Sequence, residues 1–411
     1  MTAADGPHLV VVGIGADGWA GLSEPARAAL LGADEIVGSG RQLELLPAEL
    51  RAQRRPWPSP IEPLVDELVS NGRQDGSQAC VLASGDPMLY GIGVTLARRL
   101  GPEQLIVHPH PSAFALACAR LGWPESEVQL LSAVGRPVEA LARIAQPGRR
   151  IVVYVSGAGG AREVAAVLSE RGLGASRLVV LEQLGGPDEQ IHESTAAQWR
   201  DRQAGALHAV AIECRLDPNA RPRALVPGLA DEAYDSDGQL TKWPIRSIAL
   251  AALAPLPGEL LWDVGAGSGS IAIEWLRAEL SARAIAVEAD PDRAQRILTN
   301  ARTLGVPELE VLGARAPEAL DGLPSPDAVF IGGGVSAAGV IDHCWQALAP
   351  GGRLVANAVT IEGEQALVEQ RAQHGGELLR IELSDAHPIG SFSGWQPRRP
   401  VVQWSVRKGH T

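Results

Sequence analysis

The chain has 411 residues, a length that favours two or three domains over one. Apolar residues make up 45% of it and charged residues 20%, so sizeable cores can form and wholesale disorder is excluded. A net charge of −12 argues against a general nucleic-acid-binding surface, which needs a basic stripe. It leaves room for a local basic pocket, because net charge says nothing about where charges lie.

The cysteines are far apart and form no C-x-x-C pair, so we expect reduced thiols and neither disulfides nor a zinc ribbon. They are Cys80, Cys118, Cys214 and Cys344. His108 and His110 lie in a proline-rich loop without good ligand spacing, so we expect no metal. No signal peptide and no charge-free apolar stretch of about 18 residues is visible. We therefore expect a cytoplasmic protein without a membrane partner.

Short apolar runs alternate with helical patterns in the first half, which predicts an α/β domain with a largely parallel sheet. Strands are predicted at 9–12, 80–83, 105–107, 151–155 and 178–181, and a closing strand at 208–212. Helices are predicted at 24–31, 61–69, 93–100 and 161–170.

The rhythm breaks at residues 215–233, where prolines and arginines predict a linker. A second α/β series follows, with a helix predicted at 245–254. Its strands are predicted at 260–264, 284–287, 309–312, 328–331 and 353–356, with a late antiparallel strand at 401–406. The glycine motifs of the halves differ, so we predict two different domains, 1–214 and 234–411.

The sharpest motif is a glycine loop that joins a predicted strand to a predicted helix. The strand 260–264 runs into Gly265, Gly267 and Gly269, whose spacing differs from the dinucleotide fingerprint Gly-x-Gly-x-x-Gly. Glycine lets a ligand approach the backbone, and the helix that follows offers unpaired amides. Asp263, just before the loop, can accept from a ligand ammonium group, directly or through water.

An acidic residue, Glu288, ends the next predicted strand, 25 positions after Asp263. A carboxylate there can accept from both hydroxyls of a ribose. A ligand with an amino-acid part and a ribose fits S-adenosylmethionine, and an NAD-binding Rossmann domain is the alternative.

These residues resemble motif one of the class I methyltransferases, in 263–269, and their second motif, in 287–291. Segments 316–320, 328–334 and 348–355 resemble the adenine-flanking, fourth-strand and fifth-strand motifs. The resemblance implies a Rossmann-like fold and a set of cofactor-binding residues. The set is Asp263, Gly265, Ala266, Gly267, Ser268, Gly269, Glu288 and Ala316. One departure is Arg315, where class I enzymes often have an acidic residue, so the adenine amino group needs another acceptor.

Residues 237–246, DGQLTKWPIR, resemble the leading segment of the C-15 methylase/decarboxylase family of cobalamin synthesis. That resemblance places Thr241 near the cofactor. Lys242 and Arg246 suit substrate carboxylates, although a solvated helix start is an equal interpretation. Further candidates for substrate carboxylates are Arg353, Arg398 and Arg399. Residues 394–399 form either a substrate lid or a loop leading to the last strand.

Three loops follow predicted strands of the first half: 13–15, 84–87 and 111–114. Each alone is an ordinary turn or helix cap. Together they resemble the tetrapyrrole methylases, the class III methyltransferases, which have two α/β subdomains. The resemblance implies a division near His110. It also implies cofactor-binding roles for Gly13, Asp86, Met88, Ser112 and Ala113, and, more weakly, for Gly157 and 184–186.

The two modules, in this order, resemble the precorrin-6Y C-5,15-methyltransferase (decarboxylating) family. The resemblance implies C-5 methylation by the first module, and C-15 methylation with decarboxylation by the second. S-adenosylmethionine is the implied cofactor, a small-molecule tetrapyrrole the implied partner, and a homo-oligomer the implied assembly.

The implied nucleophile is a ring carbon of the substrate, so no catalytic side chain is assigned. Tyr234, Asp385 and His387 are polar groups for which we favour structural roles. Three alternatives stay open: an RNA or protein methyltransferase with an accessory domain, a cofactor-sensing module, and a chain with one active module.

Overall fold

The structure is a computed structural model that describes residues 9–70, 78–199 and 202–409. The chain divides into two compact units, one of residues 1–138 and 147–220 and the other of residues 139–146 and 221–411. The division after Ala220 falls within the segment 215–233 that the prolines single out.

Strands and helices of the described residues are numbered here in chain order. The strands are β1 (Leu9–Ile14), β2 (Glu35–Gly38), β3 (Gln53–Pro56), β4 (Ala79–Ser84), β5 (Leu105–His108), β6 (Val128–Ser132), β7 (Arg150–Tyr154), β8 (Arg177–Glu182), β9 (Gln190–Thr195), β10 (His208–Glu213), β11 (Leu260–Val264), β12 (Arg283–Val287), β13 (Glu310–Leu312), β14 (Ala328–Ile331), β15 (Arg353–Ala358), β16 (Glu377–Ile381), β17 (Ser384–Ile389), β18 (Phe392–Pro397) and β19 (Val401–Arg407). The helices are α1 (Gly18–Gly21), α2 (Glu24–Leu31), α3 (Gly40–Glu44), α4 (Glu62–Ser70), α5 (Ile92–Leu100), α6 (Ala113–Leu121), α7 (Leu141–Ile144), α8 (Gly160–Glu170), α9 (Ala196–Trp199), α10 (Trp243–Leu253), α11 (Ser270–Ala278), α12 (Pro291–Leu304), α13 (Val340–Ala347) and α14 (Ile361–His374).

The first unit contains two sheets. One is parallel throughout, in the order β3-β2-β4-β1-β5. Side chains of β1 alternate between two apolar clusters, Val10 and Val12 in one and Leu9 and Val11 in the other. Both faces of this sheet are therefore covered, as parallel sheets require.

The second sheet of this unit has the order β6-β7-β10-β8-β9 and is mixed. Only β6 and β7 are parallel, and β10 runs antiparallel to both of its neighbours. The expectation that strand 208–212 closes one largely parallel sheet is therefore wrong. An apolar run reports burial on both faces and says nothing about strand direction. Two sheets in one unit confirm the predicted pair of α/β subdomains.

The second unit has a seven-stranded sheet in the order β13-β12-β11-β14-β15-β19-β16. The first five strands are parallel, and β19 inserts antiparallel between β15 and β16. This order confirms the predicted Rossmann-like fold and the late antiparallel strand. Strands β17 and β18 form a separate antiparallel hairpin.

Candidate functional sites

The second unit contains a cavity of about 790 Å³ at the carboxyl ends of β11, β12, β14 and β15. Open α/β sheets bind ligands at this edge. The predicted residues that line it are Thr241, Lys242, Gly265, Ala266, Gly267, Glu288, Ala316, Arg398 and Arg399. The structure thus brings nine of the predicted site residues of this module to one place.

The glycine loop passes too close to neighbouring backbone for any side chain. Gly265 has φ +68°, and a Cβ there would lie 2.7 Å from the backbone of Gly333. Gly267 has φ +60°, and a Cβ there would lie 2.8 Å from the carbonyl oxygen of Gln239. Both positions therefore need glycine on conformational and on steric grounds.

Two other predicted loop residues do not line the cavity. Ser268 is 3% exposed, and a Cβ on Gly269 would lie 2.7 Å from the side chain of Ile297. These residues pack the loop against α12, so their placement gives them a structural role. The predicted cofactor-binding role of Ser268 and Gly269 stays a prediction.

Glu288 is held in the cavity wall by two backbone amides. Its Oε2 accepts from Gly267 N at 2.8 Å, and its Oε1 accepts from Asp290 N at 3.0 Å. Each carboxylate oxygen can accept more than one hydrogen bond, so the fixed group can still bind two hydroxyls. Its side chain is therefore positioned before any ligand binds.

Asp263 lies behind the loop and does not line the cavity. Its Oδ2 accepts from Ala272 N at 3.0 Å in the first turn of α11. The pKa of Asp263 is raised to about 7, mainly by burial and to a smaller extent by the nearby charge of Glu288, while the hydrogen bond from Ala272 N opposes the shift. This placement excludes the direct contact with a ligand ammonium group, while a water-mediated contact stays a prediction.

Arg246 is wrongly predicted as a substrate-binding residue. Its side chain is fully buried and does not line the cavity. Its Nε donates to Glu274 Oε1 at 2.6 Å, and its Nη atoms donate to the carbonyl oxygens of Thr241 and Leu229. Arg246 therefore holds the segment that carries Thr241. A helix was predicted from the sequence at 245–254, but the sequence did not show that Arg246 lies on its buried face.

Arg353 is also wrongly assigned to substrate. It is buried at 9% exposure, with its Nε donating to Leu253 O at 2.6 Å and its Nη1 to Glu259 Oε1 at 2.9 Å. These bonds tie the start of β15 to the turn before β11. Tyr234 is buried too, and its hydroxyl donates to Glu274 at 2.8 Å, in line with a structural role.

Three of the cationic side chains predicted to bind substrate line the cavity, together with Arg293 and Arg315. Arg398 lines it and donates through Nη2 to Asp385 Oδ1 at 2.6 Å. Arg399 and Lys242 line it and are exposed, with Lys242 Nζ 3.7 Å from Asp231 Oδ2. Asp385 thus neutralises Arg398, while His387 lies farther along the same hairpin.

A cavity of about 510 Å³ lies in the first unit and is lined from both of its sheets. Asp86, Ser112 and Ala113 line it, and so does Leu184. Ser112 Oγ accepts from Ala115 N at 3.1 Å and caps α6, so this helix begins at the cavity. The capping was readable from the sequence, since serine before an apolar helix is a start signal.

Two other candidates of this unit lie outside the cavity lining. A Cβ on Gly13 would lie 2.2 Å from Gly85 O, so Gly13 lets two loops pack together. Met88 is 46% exposed, and its amide donates to Asp86 Oδ1 at 2.8 Å. The cavity lining thus contains none of Gly13, Met88 and Gly157, and their cofactor-binding roles stay predictions.

Sequence reasoning missed polar residues at both cavities. Arg41 and Gln42 line the cavity of the first unit, and both donate to Ser84 Oγ, at 3.2 and 3.0 Å. Burial lowers the pKa of Arg41. Asn357 lines the cavity of the second unit. Asn357 could have been found from the sequence, because it is a polar residue directly after the apolar run of β15. Arg41 could not, because it follows β2, a strand that was not predicted.

Within the described residues, no group of histidine, cysteine, aspartate or glutamate side chains could hold a metal ion. Of the helices in the same part of the chain, none combines the length and the apolar character needed to cross a bilayer. Burial raises the pKa of Cys80 and of Cys344 to about 12, so neither is a thiolate at neutral pH.

Two family models match the chain. Residues 8–199 match the model for Tetrapyrrole (Corrin/Porphyrin) Methylases, and residues 232–408 match the Precorrin methyltransferase domain. A cobalt-precorrin-7 C(5)-methyltransferase of Salmonella typhimurium is 34% identical, over 45% of this chain and 89% of its own. A cobalt-precorrin-6B C(15)-methyltransferase (decarboxylating) of the same organism is 31% identical, over 41% of this chain and 89% of its own.

One relative matches along the whole length. A precorrin-6Y C(5,15)-methyltransferase (decarboxylating) of Sinorhizobium sp is 45% identical over 403 residues, which cover 98% of this chain and 97% of the relative. With an α/β unit for each family model and a cavity in each unit, the chain belongs to the precorrin-6Y C(5,15)-methyltransferase (decarboxylating) family.

Proposed function

We propose that this protein methylates C-5 and C-15 of precorrin-6Y and decarboxylates its ring-C acetate, which gives precorrin-8 in cobalamin biosynthesis. The observation that carries the proposal is the full-length match to a relative named for both methylations. Relatives named for one methylation each match less than half of the chain. Two units with separate cavities suit two reactions at separate sites.

We assign C-5 methylation to residues 1–214, and C-15 methylation with decarboxylation to residues 234–411, with 215–233 between them. The cofactor in both is S-adenosylmethionine, which supplies a methyl group bound to a positively charged sulfur. In the second unit, Gly265 and Gly267 let the loop pack closely against Gly333 and Gln239 at the cavity wall, and the fixed carboxylate of Glu288 suits ribose hydroxyls. Thr241 and Ala316 complete the proposed cofactor wall.

In the first unit, Asp86, Ser112 and Ala113 are the proposed cofactor residues. At the N-terminus of α6, the amides of Phe114 and Ala115 donate to Tyr154 and Ser112, which leaves the amide of Ala113 for a polar ligand group. The protein contributes mainly alignment, because an electron-rich ring carbon needs no side-chain nucleophile.

The experiment gives the purified protein precorrin-6Y and isotope-labelled S-adenosylmethionine, with product analysis by mass spectrometry. We expect two labelled methyl groups gained and one carbon dioxide lost. Methylation of RNA or protein without methylation of precorrin-6Y would overturn the proposal. Glu288→Ala should remove only C-15 methylation and Asp86→Ala only C-5 methylation, so a chain with one active module would also be detected.

We further infer that the protein is a cytoplasmic homo-oligomer. Ile389, Phe392 and Trp395 on the hairpin β17–β18 are 65%, 80% and 77% exposed, an apolar surface that favours burial against another copy. Light scattering on the purified chain tests this, and a monomer at micromolar concentration would contradict it.

A further inference from the structure

A buried amide lacks a hydrogen-bond partner at the wall of the larger cavity. Asn357 in β15 lies opposite Gln403 in β19, and Gln403 Nε2 donates to Asn357 Oδ1 at 3.0 Å. Both side chains are at least nine-tenths buried, at 9% and 3% exposure. The Nδ2 atom of Asn357 has no partner among the described residues, although Asn357 lines the cavity. A buried donor without a partner is unfavourable, so a bound ligand is its natural acceptor.

The order of the strands places Asn357 with two strands between it and the proposed ribose site, toward the other edge of the sheet. Glu288 follows β12, and two strands, β11 and β14, separate β12 from β15. On the other side of β15 come β19 and β16, whose Val401 and Ile381 line the cavity together with Val359. Asn357 is therefore a neutral donor beside these apolar side chains, in a stretch of wall that also carries Arg398 and Arg399.

We propose that Asn357 Nδ2 donates a hydrogen bond to the substrate carboxylate that is lost as carbon dioxide, an inference that rests on the proposed function. In this step the bond between the side-chain CH₂ and the carboxylate carbon breaks. Its electron pair moves into the conjugated ring system as carbon dioxide leaves. The pair then returns to the methylene carbon, which takes a proton from water and becomes CH₃, so that hydroxide is left.

A neutral donor suits this step better than an arginine does. The negative charge leaves the carboxylate as the bond breaks, so a cation bound to it would stabilise the starting state more than the transition state. The amide fixes the group in place while the apolar wall leaves its charge poorly solvated. Arg399, exposed at the same cavity, suits a carboxylate that the substrate keeps.

The test is the variant Asn357→Asp, in the full-length protein. An aspartate keeps the oxygen that accepts from Gln403. It replaces the free N–H donor with a negatively charged oxygen, which repels the substrate carboxylate. A hydrogen bond to a charged group corresponds to about a tenfold to 100-fold change in affinity. We therefore expect the substrate affinity of the second unit to fall by about that factor, while substrate binding at the first unit stays as it is. Release of labelled carbon dioxide should fall at least as far, while cofactor affinity stays unchanged. The buried carboxylate lowers the unfolding temperature by itself, so unchanged cofactor affinity is the readout that shows the site to be intact.

A second variant, Gln403→Glu, withdraws the donor without changing a residue of the cavity wall. The new carboxylate would accept from Asn357 Nδ2 and turn the amide around, so we expect the same loss of substrate binding. Gln403→Met is the matched control, because it removes the bond to Asn357 without attracting Nδ2. Substrate binding is measured by fluorescence titration in the absence of cofactor.

The outcomes separate the two proposals. If the unaltered protein neither methylates nor decarboxylates precorrin-6Y, the proposed function fails. If it does both, and Asn357→Asp and Gln403→Glu bind and decarboxylate the substrate as it does, the role of Asn357 is refuted. Equal losses of cofactor affinity and substrate binding in both variants would show a purely structural amide pair, which also refutes it.

Discussion

Arg246 Nε donates to Glu274 Oε1 over 2.6 Å, and both side chains are at most 2% exposed. Glu274 also accepts from the amide of Leu229 at 3.1 Å and from the hydroxyl of Tyr234 at 2.8 Å. The second unit therefore holds the segment before α10 through one buried ion pair. Because Thr241 lies in that segment and lines the cavity, the pair also fixes part of the site.

Replacing Arg246 by methionine should destabilise the second unit strongly. Glu274 would keep a buried charge without its cationic partner, which costs about 3–5 kcal/mol. Differential scanning calorimetry of the full chain should show a lower unfolding temperature for one transition. Tyr234→Phe is the milder control, since it removes one hydrogen bond worth about 1–3 kcal/mol. Unfolding of Arg246→Met at the temperature of the parent would contradict the structural role.

Replacing Glu288 by glutamine should weaken binding of S-adenosylmethionine to the second unit. Loss of a charged acceptor costs about 1.5–3 kcal/mol, which is roughly 10-fold to 100-fold in affinity. Isothermal titration calorimetry measures the affinity for S-adenosylmethionine, and we expect it to fall at one of the two proposed cofactor sites. Asp290→Ala is the matched control. Asp290 caps α12 through the amides of Asp292 and Arg293, so its loss should lower stability by about 1 kcal/mol and leave affinity unchanged.

Alanine at Gly265 should disrupt the loop. The positive φ alone costs a non-glycine residue about 1–2 kcal/mol, and the Cβ would also meet the backbone of Gly333 at 2.7 Å. We expect a larger loss of stability than φ strain explains, together with at least tenfold weaker cofactor binding. Gly322→Ala is the control, because Gly322 has φ +77° with open space around it. Equal effects of the two substitutions would show that the close approach is unimportant.

Asp263 should make the stability of the second unit depend on pH. Its pKa is about 7 in the folded protein, against an ordinary value of 3.8. Between those values the folded protein keeps a proton that the unfolded chain releases, so the Asp263 contribution to stability falls as pH rises through this window. Asp263→Asn cannot titrate, and its unfolding temperature should fall less over the same range. Parallel pH profiles for parent and variant would contradict the shifted pKa.

Elements that are buried on both faces were predictable from the sequence. The strands β1, β4, β11 and β14 are recognisable as apolar runs, because a strand that is buried on both faces needs apolar side chains on both. Seven strands of the described residues were missed, namely β2, β3, β6, β9, β16, β17 and β18. In β9 four of six side chains are exposed, so no apolar run marks it.

The sequence by itself determined the glycine loop and the position of Glu288, because their function follows from local spacing along one strand, one turn and the next strand. Only the tertiary structure decided what each charged or polar side chain contacts. Arg246 and Arg398 look alike in the sequence, but one is buried against Glu274 and the other lines the cavity. Asn357 became a candidate only when the register of β19 placed Gln403 against it. Contacts between residues 46 positions apart depend on strand order, which local patterns do not encode.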